Sequence, residues 1–233
     1  MALLIAIEGI DGAGKGTHAR QLVERLILSG VRVTSLQFPR YSETTFGAAI
    51  GDFLNGRFGS LDQVHPQLAS VLYAGDRFES RPVLQAAIDN HDIVILDRFT
   101  GSNLAHQSAK LDGAERTELI RWIDHVEHVV FGLPRPDLVI LIDISSDWSR
   151  KLVSRKAARD YTDNEADLHE SDLSYLERVR RCYLQLADQR EEWRVVESLD
   201  TAGNLRTISD INNEMLDIIT EHISVSDTPV GGR

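Results

Sequence analysis

The chain has 233 residues, of which 42% are hydrophobic and 26% charged, a balance typical of a soluble globular protein. Its net charge of −11 argues against a nucleic-acid partner held by a broadly basic surface. The single cysteine, Cys182, excludes a disulfide framework and a cysteine-based zinc site. Without an apolar run near the roughly 18 residues of a membrane span or a basic leader before Glu8, we expect a cytoplasmic protein with no membrane partner.

Five apolar runs, most of them continuous, are typical of strands in a buried parallel sheet. Longer amphipathic segments with helical spacing lie between them, and strand–helix alternation predicts a doubly wound α/β fold with helices on both faces of a five-stranded parallel sheet. We expect one domain over 1–223 and a disordered tail over 224–233. The predicted strands are 2–7, 31–38, 93–96, 138–142 and 195–196, and the predicted helices are one from Lys15 to before Gly30 and four near 63–89, 114–131, 171–190 and 204–222.

A glycine-rich segment, Gly9 to Thr17, follows the first strand and precedes the first helix, as a phosphate-binding loop requires. Glycines let backbone N–H groups converge on an anion, and the helix start adds its positive dipole end. Lys15 is placed to reach the β- and γ-phosphates of a nucleotide. The predicted ATP-binding residues are Gly9, Gly12, Ala13, Gly14, Lys15, Gly16 and Thr17.

The residue after the loop lysine is Gly16, where the general motif has a serine or threonine that ligates Mg²⁺. Threonine comes one position later, at Thr17. Mg²⁺ is therefore expected to be held through water or by carboxylates, for which Asp11, Asp97 and Glu170 are the candidates.

Segment 155–172 has few apolar residues, so it cannot bury a face. It begins with Arg155, Lys156 and Arg159 and continues with several acidic residues. We interpret it as a short mobile lid.

Further motifs follow the second and third predicted strands or lie on a helix. They are Phe38-Pro39-Arg40-Tyr41, Asp76-Arg77, and Asp97-Arg98-Phe99 followed by Ser102-Asn103. Because ligands of open α/β sheets bind at the carboxyl ends of the strands, we expect these motifs to border a second substrate site. A guanine-reading Asn-Lys-x-Asp motif is absent from the sequence, which argues against a GTPase.

In this order and spacing, the motifs resemble those of thymidylate kinases over about residues 3–200. The resemblance implies a P-loop kinase fold, transfer of the γ-phosphoryl group of ATP to dTMP, Mg²⁺ as cofactor, and a homodimer. It implies catalytic roles for Lys15, Asp11, Arg98, Arg155 and Arg159, and metal binding by Asp11, Asp97 and Glu170. The implied dTMP-binding residues are Phe38, Arg40, Tyr41, Arg77, Arg98, Asn103, Gln107 and Glu170.

This chain departs from the family pattern at four positions, one of which is Gly16. Phe99 stands where a tyrosine or histidine is usual, and His106 and His169 stand where relatives often carry tyrosines near the sugar. With glycine at position 16, we expect catalytic positive charge to come from the lid.

Three other functions remain open from the residues alone. The chain could phosphorylate another nucleoside monophosphate or a deoxynucleoside. It could be a nucleotide-binding regulatory protein without transfer activity, or a P-loop hydrolase that needs no acceptor.

Overall fold

The structure is a computed structural model that describes residues 2–59, 63–153 and 173–226. Its centre is a sheet of five parallel strands in the order β2-β3-β1-β4-β5. The strands are β1 (Leu3–Glu8), β2 (Val33–Gln37), β3 (Ile93–Asp97), β4 (Leu138–Asp143) and β5 (Trp193–Glu197). The predicted parallel α/β sheet is confirmed.

Helices occupy every connection of the sheet. They are α1 (Lys15–Leu28), α2 (Thr45–Leu54), α3 (Pro66–Glu79), α4 (Arg81–Asn90), α5 (Thr100–Ser108), α6 (Gly113–His125), α7 (Ser146–Val153), α8 (Leu173–Gln189) and α9 (Ile208–Ser226), with a π-helical turn (Val126–Val130) after α6. None of the described helices is both long and apolar enough to cross a membrane.

The main core lies between the sheet and two groups of helices. Helices α1 and α9 pack against each other, α1 on the β1–β3 side and α9 on β4 and β5. Helices α5 and α8 form a second packed pair, and α8 covers β4 and β5. The central strands β1, β3 and β4 are almost wholly buried, as parallel strands covered on both faces must be.

Several boundaries differ from the sequence predictions. The segment 63–89 forms two helices, because Pro82 cannot continue the hydrogen bonding of α3 and instead lies in the first turn of α4. Three helices, α2, α5 and α7, were not predicted. Helix α9 extends to Ser226, three residues into the predicted tail. Residues 227–233 and the predicted lid, 155–172, lie outside the described residues.

Sheet order decides which loops meet. Strand β1 lies between β3 and β4, so the loop after β1 is flanked by the segments that follow both neighbours. The Phe38 segment after β2 is the next along this edge, and the Phe38 N–H donates to the carbonyl of Asp97 at 3.0 Å. Four strand ends therefore converge, which is where an open α/β sheet binds ligands.

Candidate active site

The glycine-rich loop has a shape that only glycine permits at two positions. A Cβ on Gly9 would lie 2.6 Å from the carbonyl oxygen of Ile142, and one on Gly12 would lie 2.7 Å from that of Ser149. Gly14, with φ +83°, is the left-handed N-cap of α1, and it has no side-chain capping bond among the described residues. The amino end of α1 is therefore available to an anion, as in phosphate-binding loops.

Lys15 lies inside this loop with a buried side chain. Its Nζ donates to the carbonyl of Ile10 at 2.8 Å. Burial away from water lowers the pKa of Lys15 to about 7; the nearby cation of Arg98 also lowers it, and the carboxylates of Asp11, Asp97 and Glu8 oppose the shift. In the nucleotide-free protein this lysine therefore titrates near neutrality.

We predict that ATP binding takes up a proton above neutral pH. The phosphates favour the ammonium form and raise the pKa of Lys15 from about 7 in the free protein. Uptake should approach about one proton per ATP at about pH 8 and fall towards none at about pH 6, where the lysine is already charged. Calorimetric titration in buffers of different ionisation enthalpy measures it. Uptake that is equal at both pH values would contradict the prediction.

Arg98 and Asp11 form an ion pair that joins the phosphate loop to the end of β3. Arg98 Nη2 lies 2.5 Å from Asp11 Oδ1, and Nη1 donates to the Gly9 carbonyl at 3.2 Å and to Ser102 Oγ at 3.0 Å. Among described residues other than glycine, Arg98 alone has a positive φ, +64°. Such a conformation is uncommon outside glycine and concentrates at functional sites.

The Asp97 carboxylate occupies the space beside Gly16. A Cβ built on Gly16 would lie 2.9 Å from Asp97 Oδ2. A side chain at position 16 would therefore push the Asp97 carboxylate out of this position. No group of three or more metal-binding side chains occurs within the described part of the chain. Asp11 and Asp97 nonetheless suit Mg²⁺, which commonly takes one or two carboxylates, with substrate phosphates and water as its other ligands.

Gly16→Ala is predicted to lower kcat by about tenfold or more, since the added methyl group must displace the Asp97 carboxylate. The Mg²⁺ concentration needed for half-maximal rate should rise in the same variant. Kinetic titration with Mg²⁺ measures both, with Asp97→Asn as the matched loss of the carboxylate charge. A Gly16→Ala variant with unchanged Mg²⁺ dependence would contradict this role.

The motifs predicted to bind an acceptor are partly brought together. Phe38 is 1% exposed, and its ring centroid lies 5.7 Å from that of Phe99. The guanidinium of Arg77 lies 5.9 Å from the Phe99 centroid. An aromatic pair and a cation thus adjoin the end of β3.

Arg77 is buried in α3 and forms a bidentate ion pair with Glu127 of the π-helical turn. Burial opposes its charge, but the Glu127 carboxylate raises the pKa of Arg77 above its ordinary value. Asn103 of α5 donates to the same carboxylate at 2.8 Å. Two predicted base-binding side chains therefore share one buried anion.

Two other predicted acceptor residues lie on the loop between β2 and α2. Asp76 holds this loop by accepting from the Arg40 N–H at 3.1 Å and from the Thr44 hydroxyl at 2.5 Å. Within the described structure, the Arg40 guanidinium contacts Ser80 and Glu43, so it is not brought to Arg98. Tyr41 packs against the small apolar cluster of α2 and α3.

Helix α5 carries an unusual number of buried polar side chains. Gln107 lies one turn after Asn103, and neither of its amide atoms has a hydrogen-bond partner among the described residues. The His106 ring lies 6.2 Å from that of Tyr175 and 6.0 Å from that of Tyr183. Polar groups buried in this way are costly unless a ligand or water meets them.

Sequence reasoning missed two buried carboxylates, Glu8 and Glu127. Glu8 accepts from the N–H groups of Phe99 and Ser102 at 2.8 and 3.0 Å, and from the Ser102 and Tyr183 hydroxyls at 2.6 and 3.1 Å. It therefore fixes the start of α5 against β1. A charge at the end of an apolar strand could have indicated it. Arg155, Arg159, His169 and Glu170 lie outside the described residues, so they remain predictions.

Comparisons with known proteins agree on one family. The family model for thymidylate kinase matches residues 7–207. The chain is 33% identical to the thymidylate kinase of Mycobacterium tuberculosis, covering 80% of this chain and 86% of that protein, and 28% identical to human thymidylate kinase, with 84% and 82% covered. It is 31% identical to a probable thymidylate kinase of Thermococcus onnurineus, with 94% and 98% covered.

A solved structure, that of thymidylate kinase from Candida albicans, has the same fold. It superposes with a TM-score of 0.72 at 24% identity and covers 94% of this chain and 92% of that one. The family match spans both the phosphate loop and the acceptor motifs. The chain belongs to the thymidylate kinase family.

Proposed function

We propose that this thymidylate kinase transfers the γ-phosphoryl group of ATP directly to the phosphate of dTMP, giving ADP and dTDP. One contact carries the proposal. Arg98 Nη1 donates both to the Gly9 carbonyl of the donor loop at 3.2 Å and to the Ser102 hydroxyl of the acceptor motifs at 3.0 Å. A single guanidinium therefore borders both the donor site and the acceptor motifs, where the reacting phosphates must meet.

On the donor side, the phosphate loop and the start of α1 hold the phosphates of ATP. Backbone N–H groups and the helix dipole neutralise part of the charge, and Lys15 supplies a full positive charge to the β- and γ-oxygens. Little covalent chemistry is asked of the protein, because phosphoryl transfer depends chiefly on positioning and charge neutralisation.

On the acceptor side, Arg98 holds the dTMP phosphate in line with the γ-phosphate. The planar guanidinium suits this role because it donates to phosphate oxygens in pairs. Phe38 stacks on the base, with Phe99 fixing its ring plane. Arg77, Asn103 and Gln107 meet the base edge, and Asp11 lies near the sugar and the metal.

Mg²⁺ fits the carboxylates that the site presents. Asp97 and Asp11 would hold it, with Glu170 as a further candidate from the sequence. When bound, the metal neutralises phosphate charge and orients the γ-phosphoryl group. Asp97 lies beside Gly16, and Asp11 is held by its ion pair with Arg98.

Residues 155–172 are proposed to close over the reacting groups, with Arg155 and Arg159 contacting the transferring phosphoryl group and Glu170 closing over the sugar or metal. Closure of such a segment excludes water and suppresses hydrolysis of ATP. Arg40 and Tyr41 would join the dTMP phosphate only after the Arg40 side chain leaves Glu43.

We also propose a homodimer and a cytoplasmic location. Helix α3 contacts the π-helical turn, and the two expose large apolar side chains on Leu68, Phe78, Val129 and Val130. An exposed apolar group of this kind favours contact with a second copy of the chain. The single cysteine is free, as is usual in a reducing compartment where ATP is available.

Release of ADP across a panel of acceptors tests the proposal. With Mg-ATP, we expect rapid release with dTMP, weaker release with dUMP, and little with dCMP, AMP, CMP, GMP or no acceptor. Lys15→Ala is the control for contaminating kinases. Equal release of ADP with and without an acceptor would indicate a hydrolase. Faster release with another monophosphate would mean that this monophosphate, and not dTMP, is the substrate.

A further inference from the structure

The buried carboxylate of Glu127 organises the side chains at the proposed base edge. Glu127 is 0% exposed and lies in the π-helical turn that ends α6. Its Oε2 accepts from Arg77 Nε at 2.9 Å, and its Oε1 accepts from Arg77 Nη2 and from Asn103 Nδ2. Three donors therefore converge on one anion that cannot itself donate.

The Asn103 amide can face this arrangement in only one way. Its Nδ2 donates to the Ser70 carbonyl at 3.0 Å and to Glu127 Oε1 at 2.8 Å. Both partners are acceptors only, so the nitrogen must point at them. The Oδ1 atom is left on the other side, buried and without a partner among the residues that the structure describes. Asn103 thus offers a ligand an acceptor.

Glu127 also fixes the orientation of Arg77, but the group that Arg77 leaves for a ligand is a donor and not an acceptor. Glu127 occupies the Nε–Nη2 edge of Arg77, and no hydrogen bond from the residues that the structure describes occupies Nη1. Guanidinium nitrogens can only donate. Arg77 thus offers a ligand a donor, beside the acceptor offered by Asn103.

We propose that Glu127 is a positioning residue that sets the polarity of base recognition, with an acceptor from Asn103 and a donor from Arg77. This inference rests on the proposed function. Thymine presents an N3–H donor next to the O4 acceptor, which matches both groups. Cytosine presents an N3 acceptor next to an amino donor, which opposes both. Glu127 itself contacts neither base.

The preference for thymine over cytosine is expected to be large because Asn103 and Arg77 are buried. A buried polar atom left facing a like group loses its hydrogen bond and cannot recover one from water. If Asn103 were free to turn over, it could present Nδ2 to cytosine N3 at little cost. Glu127 removes that freedom together with the Ser70 carbonyl.

The variant Glu127→Gln tests the proposal. In this variant the glutamine NH2 group must face one of the donors of Arg77 or Asn103. Where it faces Asn103 it repels Nδ2 and favours the reversed amide, which directs Nδ2 towards the base and is then opposed only by the Ser70 carbonyl. We expect the ratio of dTMP affinity to dCMP affinity to fall by at least about tenfold. Calorimetric Kd values for dTMP and dCMP, with kcat/KM for each, measure it.

Asp143→Asn is the matched control. Asp143 is another buried carboxylate in a bidentate pair with an arginine, Arg180, but it lies at the end of β4 away from the base edge. It should lower the melting temperature and leave the dTMP-to-dCMP ratio unchanged. A Glu127→Gln protein that loses stability but keeps the wild-type ratio would overturn the proposal, since Glu127 would then be structural only.

Glu127→Asp covers the case in which Glu127→Gln does not fold. The shorter carboxylate still only accepts, so the polarity is kept while both partners are held less firmly. We then expect weaker dTMP binding with an unchanged preference over dCMP, and a lost preference would overturn the proposal. If the wild-type protein showed no preference for dTMP over dCMP, the proposed function would be wrong, and this inference, which rests on it, would be wrong as well.

Discussion

Lys15→Ala is expected to lower kcat for phosphoryl transfer by about 1,000-fold, the upper range for loss of one transition-state charge contact. The ammonium group lies inside the phosphate loop, 2.8 Å from the Ile10 carbonyl. Lys15 lies inside the loop and Arg98 contacts it, so a neutral side chain at position 15 removes one of the cations that compensate the γ-phosphoryl charge. Steady-state rates with saturating Mg-ATP and dTMP measure the loss.

The melting temperature distinguishes a catalytic role for Lys15 from a structural one. Burial lowers the pKa of Lys15, which means that the fold disfavours its charge. Its removal should therefore leave the melting temperature unchanged or higher, while activity is lost. Lys151→Ala, which removes an exposed lysine of α7, is the control and should keep activity within about twofold. A destabilised Lys15→Ala protein would point to a structural lysine.

Arg98→Ala is expected to lower kcat/KM for dTMP by about 1,000-fold, within the range for arginines that stabilise phosphoryl transfer. The guanidinium joins Asp11, the Gly9 carbonyl and Ser102. Its loss removes the charge for the acceptor phosphate and releases Asp11. Because the phosphate loop and Lys15 remain, ATP affinity should change by less than about threefold.

Arg180→Met is the matched control for Arg98. It removes a bidentate arginine–aspartate pair at the end of β4, where no acceptor motif was predicted. We expect lower stability with kcat/KM for dTMP largely retained. If Arg98→Ala weakened ATP and dTMP equally, the arginine would be a support for the donor loop and not an acceptor ligand.

The strands and their parallel arrangement could be predicted because a sheet covered on both faces needs continuous apolar runs, which 93–96 and 138–142 supply. The phosphate loop could be predicted because its glycines are required by the backbone itself. At Gly9 and Gly12, a side chain would meet a carbonyl oxygen.

Helix α5 was not predicted, and the reason is functional. Helices are recognised from apolar side chains on one face, but α5 buries Asn103, His106, Gln107 and Ser108. Two of these polar residues, Asn103 and Gln107, also belong to the candidate base edge. Conflict between a local pattern and the fold is typical of functional sites.

Glu127 could not be predicted because its role arises from packing between distant elements. It lies 50 residues from Arg77 and 24 from Asn103 along the chain. In the sequence it is one acidic residue in an amphipathic segment. Its contacts with Arg77 and Asn103 become apparent only when α3, α5 and the π-helical turn are placed together. The proximity of the Asp97 carboxylate to Gly16 was hidden in the same way, because 81 residues separate the two positions.

The central claim is that the γ-phosphoryl group of ATP is transferred to dTMP. Measuring both products, ADP and dTDP, tests it most directly. Protein is incubated with Mg-ATP and dTMP, and ATP, ADP, dTMP, dTDP and inorganic phosphate are followed together by phosphorus NMR. Transfer from the Lys15 loop to an acceptor held by Arg98 predicts one dTDP for every ADP, with inorganic phosphate near background. ADP matched by inorganic phosphate, with dTMP unchanged, would contradict transfer and identify a hydrolase.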